Sequence, residues 1–99
     1  MAVPEEIRMR LSRWCAARVP AAEREQRQVA YTIHGGEVTI VERRPPAYPE
    51  LGAAWSATPV ARLVHLPDGW RLDRPAGRGE WRQDATGSDP IALLEGVRT

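Results

Sequence analysis

The segment QVAYTIHGGEVTIVERR, residues 28–44, limits the fold more than any other part of the chain. Val29, Tyr31 and Ile33 alternate with small or polar residues, Gly35-Gly36 supplies the positive φ angles of a two-residue turn, and Val38, Ile40 and Glu42 resume the alternation. A two-residue loop leaves one register: His34 faces Glu37, Ile33 faces Val38, Tyr31 faces Ile40 and Val29 faces Glu42. One face of this hairpin is therefore apolar, and the rest of the chain must cover it or extend the sheet.

Residues Pro4 to Arg18 supply cover. Ile7, Leu11, Trp14 and Cys15 recur at helical spacing, with a proline near the start and Glu5 and Glu6 in the first turn, where a helix end favours negative charge. Val19-Pro20 ends this amphipathic helix, since the residue before proline avoids the α region. Residues Ala21 to Arg27 read as a polar connector or one extra turn. After the hairpin, Arg43 to Pro59 reads as a long loop with Tyr48, Leu51 and Trp55 as apolar anchors. Val60–Leu66 and Trp70–Arg74 read as strands joined at Pro67-Asp68-Gly69, and PAGRG leads to a short fifth strand, Glu80–Gln83. Alternation there puts Trp70, Leu72 and Trp81 on one face and Arg71, Asp73, Glu80 and Arg82 on the other. Asp89-Pro90 is an N-cap and first-turn proline for a short helix carrying Ile91, Leu94 and Val97.

The expectation is a single α+β domain over residues 1–99. A small antiparallel sheet of about five strands carries the N-terminal helix on one face and a short C-terminal helix, in the order α-β-β-β-β-β-α. Ninety-nine residues leave room for one thin core and no second domain.

Fourteen basic residues, all arginine, stand against thirteen acidic ones, so no overall field draws the chain to nucleic acid or to an anionic membrane. The lone Cys15 excludes an intramolecular disulfide, and a reducing cytoplasm suits it. The N-terminus lacks a secretory pattern, and no apolar run is long enough to cross a bilayer, so no membrane partner is expected. His34 and His65 are the chain's only general-base candidates of the imidazole type, but no nucleophile stands in a recognised relation to either. Two separated histidines and one cysteine do not make a metal site, and neither Gly-containing segment opens onto a helix that could receive a phosphate. No catalytic residue, metal or cofactor is expected.

The segments VTIVERRPP and PVARLVHLPDGWRLDRPAGRGEW resemble a bacterial family known as domain of unknown function 3024, through Glu42, Arg44, Pro45, Pro59, Ala61, Trp70 and Trp81. The resemblance spans most of Arg18 to Trp81 and implies the same order of elements, with no activity attached. Family members place a His and then a Tyr after the last tryptophan, where this chain has Arg82 and Gln83-Asp84. They also close on an aromatic tail that is absent after Val97, which marks a divergent or C-terminally shortened member.

Function is then expected to lie in contacts. The leading expectation is a non-enzymatic cytoplasmic domain that binds a protein partner or forms a homo-oligomer, with Tyr48, Leu51 and Trp55 as the surface and the free sheet edges exposed. The alternative is a nucleic-acid-binding accessory using Arg71, Arg74, Arg78 and Arg82 of the hairpin over residues 70–82. A small hydrolase or nuclease built on Glu42 and Arg44 is a third. Glu42 falls on the core side of its strand and requires a basic partner, for which Arg62 in the third strand, or Arg13 or Arg18 of the helix, is available. The bland reading of the Arg-bearing strands is a solvated face with cross-strand pairs, Arg71 with Glu80 or Asp73 with Arg82.

Overall fold

The computed structural model describes residues 2–48, 52 and 54–97. The chain forms α1 (Glu5–Arg18), a 3-10 turn (Ala21–Glu23), then β1 (Gln28–His34), β2 (Glu37–Arg44), β3 (Ser56–Leu66), β4 (Gly69–Gly77), β5 (Glu80–Gly87) and α2 (Pro90–Leu94). All five strands lie in one antiparallel sheet in chain order, β1-β2-β3-β4-β5, so β1 and β5 are its edges. This is the expected α+β architecture.

The β1–β2 register is the one that the two-residue turn demands, from His34 opposite Glu37 to Val29 opposite Glu42 without a break. Of the turn's two glycines, Gly35 alone takes positive φ, at 62°. α1 starts just after Pro4 with Glu5 and Glu6 in its first turn, buries Leu11, Trp14 and Cys15, and stops at Val19, which is extended ahead of Pro20. Both helices cover the same sheet face. Leu11, Trp14, Cys15 and Val19 from α1 and its end meet Leu94 and Val97 from the C-terminal segment over Val38, Ile40, Ala61, Leu63, Trp70 and Leu72. The Asp89 side chain caps α2 by accepting from the Ile91 N–H at 3.0 Å, and Arg10 Nη2 of α1 donates to Asp89 Oδ2 at 3.0 Å. Those bonds, that from Arg10 foremost, hold the Asp89 carboxyl below the usual carboxylate range.

The strands run longer than the sequence pattern indicates, and three irregularities explain why. Ser56–Pro59, expected as loop, pairs with Val41–Arg44, and the register steps between Ile40/Ala61 and Val41/Pro59, leaving Val60 without a partner. Between Leu72/Ala85 and Asp73/Gln83, Asp84 is the extra residue, and between Pro75/Trp81 and Gly77/Glu80 it is Ala76. Each extra residue reverses which side chains share a face. Trp81 consequently lies on the face of Asp73 and Arg62, against the expectation that it joins Trp70 and Leu72 in the core, and the Arg62 guanidinium sits 4.7 Å from its ring centroid. Arg82, expected beside Arg71, stands opposite Arg74 on the other face.

The sheet also forks. β3 and β4 pair only from Arg62/Asp73 to Leu66/Gly69, so Ser56–Pro59 and Ala61 pair with β2 alone, and Arg74, Pro75 and Gly77 with β5 alone.

Candidate functional site

Of the three loop residues expected to form an interaction surface, Leu51 lies outside the described residues. Tyr48 is exposed. Trp55 is half-buried, with the Arg43 guanidinium 5.9 Å from its ring centroid, so one side of the indole is occupied from within the chain.

The expected Glu42–Arg62 pair does not form, because the two side chains project from opposite faces. Glu42 follows Val38 and Ile40 onto the helix-covered face, whereas Arg62 pairs across from Thr39, one position out of step with core residues Ala61 and Leu63. Glu42 meets Arg44 at 2.6 Å instead. Arg62 turns to Asp73, which is only 2% exposed. Arg62 donates to Asp73 Oδ2 through Nε at 3.0 Å and Nη2 at 2.8 Å, and Arg71 donates to Oδ1 through Nε at 3.0 Å and to Oδ2 through Nη2 at 3.2 Å. The expected pairs Arg71–Glu80 and Asp73–Arg82 are replaced by this three-residue knot. Two guanidiniums on one carboxylate leave a net positive centre on the helix-free face, stacked on Trp81.

Arg71, Arg74, Arg78 and Arg82 therefore do not make one surface. Arg71 is committed to Asp73, and alternation along β4 sends Arg74 to the opposite face. Arg74 and Arg82 face each other across β4–β5, and Arg78 sits in the turn with φ 54°. His65 stacks on Trp70 with centroids 4.3 Å apart, and its Nδ1 lies 3.1 Å from the Ala2 carbonyl, while His34 is exposed beside the first turn. Among the described residues no group of three His, Cys, Asp or Glu side chains could hold a metal ion, and no helix is long and apolar enough to cross a membrane.

The feature that residue-by-residue reading underweighted is the β1 edge. The His65 N–H donates to Gly36 O at 2.9 Å, so even-numbered residues of β2 turn their backbone groups to β3 and odd-numbered ones turn theirs to β1. Their partners Thr32 and Ala30 then face β2, and Val29, Tyr31 and Ile33 present N–H and C=O groups outward. Among the described residues none of those outward groups finds a hydrogen-bond partner. Between this edge and α1 runs a groove of about 380 Å³ lined by Cys15, Ala16, Val19, Val29 and Tyr31, with Arg24 at one end. Tyr31 Oη is 2.9 Å from Ser12 Oγ and 3.2 Å from the Arg8 carbonyl, which holds the middle of α1 over the middle of β1. Burial pushes the Cys15 thiol up to about 11, so the groove floor is a neutral, unreactive sulfur. The sequence signal was available: QVAYTIH contains no charged residue and no proline.

No curated protein and no solved structure matches the chain. A family model described as domain of unknown function (DUF3024) matches residues 2–99, and the chain belongs to that family.

Proposed function

We propose that this domain works through protein contact, by accepting a partner strand along β1. The observation that carries the reading is an edge strand without the usual protection. Edges are normally blunted by lysine, proline, bulges or inward charges, because unpaired N–H and C=O groups are a template for another chain. β1 has none of these over seven residues, its pairing with β2 is unbroken, and an apolar groove runs beside it. The opposite edge differs: β5 carries Glu80, Arg82 and Asp84, and both register steps of the β4–β5 ladder fall along it. Strand addition supplies affinity through main-chain bonds and specificity through the alternate side chains that enter the groove. The free thiol of Cys15 suits a reducing cytoplasm as the setting.

Amide hydrogen exchange tests the reading. The N–H groups of Val29, Tyr31 and Ile33 should exchange fast in the isolated domain, while those of Ala30 and Thr32 are protected by β2. Equal protection of both sets in a monomer would mean that the edge is already covered.

A second reading has its own observation. Arg74 and Arg82 oppose each other with like charge across β4–β5, a repulsion that an anion held between the two guanidiniums would relieve. With Arg78 at the tip, the β4–β5 ribbon would then contact nucleic-acid phosphates. Oligonucleotide affinity by anisotropy would fall steeply with salt, and each of Arg74→Ala, Arg78→Ala and Arg82→Ala would flatten the slope by about one unit. Binding that is absent at low salt disposes of this reading.

A further inference from the structure

We infer that the strand taken up by β1 is the β1 strand of a second copy, in a two-fold dimer centred on Tyr31. This rests on the reading of β1 as a free edge and names its occupant. Placing the two-fold axis at Tyr31 sets Val29 against Ile33, Ala30 against Thr32, and Gln28 against His34 of the second copy. Apolar residues meet apolar ones on the helix-covered face, the other face matches small Ala30 with Thr32 and polar Gln28 with His34, and no charge meets a like charge. The same axis pairs Val29, Tyr31 and Ile33, the three residues whose backbone groups point outward, so every outward N–H and C=O of the strand is used.

The helix above repeats the match. Because the Tyr31 hydroxyl meets Ser12, an axis through Tyr31 passes near Ser12 and lays the two α1 helices antiparallel. Glu5, Met9, Ser12 and Ala16 lie on one stripe of α1 at spacings of four, three and four. Ser12 and Ala16 are small enough for the helices to approach to about 8–10 Å. Met9, 54% exposed in the single chain, falls opposite Cys15 and Ala16 of the second copy, where the groove has room for a flexible thioether. Glu5 falls beyond the far end of the opposing helix, toward Arg24 at the end of the groove, so the acidic start of each helix meets the basic exit of the other.

Sedimentation equilibrium of the purified chain over a submillimolar concentration series tests this, together with the variants Thr32→Lys and Met9→Glu. Both positions are exposed in the single chain, so both variants should melt like the wild type at concentrations where all three are monomers. The expected result is a reversible monomer–dimer equilibrium whose dissociation constant rises at least about tenfold in each variant. Glu5→Arg should weaken it and Glu5→Arg with Arg24→Glu should recover it. A dimer indifferent to Thr32→Lys and Met9→Glu overturns the inference, since its interface lies elsewhere. A monomer at every concentration also overturns it, and amide exchange then separates the two ideas. Fast exchange at Val29, Tyr31 and Ile33 in that monomer leaves the edge open to a different protein, and slow exchange removes the edge reading as well.

Discussion

Replacing Asp73 by Asn removes one charge from the most enclosed ionic group among the described residues. The carboxylate accepts four hydrogen bonds from Arg62 and Arg71, and it anchors the last rung of the β3–β4 ladder before the sheet forks. Breaking a fully buried pair from one side costs about 3–5 kcal/mol, because the remaining charge is left uncompensated. Here Arg62 and Arg71 keep 21% and 31% of their side-chain surface in solvent, so water recovers part of that loss, and the amide oxygen of Asn still accepts from one guanidinium. The net cost is then about 2–3 kcal/mol. Unfolding entropy of about 0.2 kcal/mol/K for a chain of this length converts this to a fall in Tm of roughly 10–15 °C. Thermal melts followed by circular dichroism and tryptophan fluorescence, with Arg62→Met beside Asp73→Asn, make the measurement. Arg62→Met should cost less, since Arg71 keeps its two bonds to the carboxylate. A melt of Asp73→Asn within about 3 °C of wild type would refute the argument, because it would mean that the knot contributes no more than an exposed pair.

Gly35→Val should destabilise by about 1–3 kcal/mol, since a β-branched residue resists φ 62°, whereas Gly36→Val should cost distinctly less; equal losses in Tm would contradict the turn. Asp89 has a depressed carboxyl in the folded chain, so its stabilisation is complete above the unfolded pKa and is lost as pH falls through the folded one. Asp89→Ala should flatten the acid arm of a plot of Tm against pH, and superimposable acid arms would show that the Arg10 contact does no such work. Cys15 should react with an aromatic disulfide reagent only slowly at neutral pH until denaturant is added, and labelling at the rate of a free thiol would contradict its burial.

The hairpin was legible to the residue because a two-residue turn admits one register and the apolar pattern on both sides agrees with it. α1 was legible from its stripe and α2 from the Asp89-Pro90 cap. What escaped is traceable to single residues. Val60, Ala76 and Asp84 are ordinary in type, and nothing in their chemistry marks them as the extra residue of an irregular pair, yet each inverts the parity of everything beyond it. Trp81 and Arg82 exchange faces for that reason alone. The Glu42–Arg62 error has a different origin: core positions Ala61 and Leu63 already imply that Arg62 points away, but without the β2–β3 register the small Ala61 does not announce itself as the inward residue. Pro59 hid the first half of β3, since a proline inside a strand argues against the strand unless the position lacks a second neighbour. The fork supplies that condition, because Pro59 pairs with Val41 and with nothing in β4.

The chain-order sheet has a kinetic corollary. Each strand pairs with the one next to it in sequence, so the whole ladder closes through short loops, at small entropic cost, apart from the connection between β2 and β3. The contacts that span most of the chain are of another kind: α1 from one end meets α2 from the other, and Arg10 reaches Asp89 across 79 positions. Sheet formation should therefore precede helix docking along the folding route, with the Arg10–Asp89 contact absent from the transition state. In a chevron analysis, Asp89→Ala would accelerate unfolding and leave the refolding limb in place, whereas Gly35→Val would slow refolding.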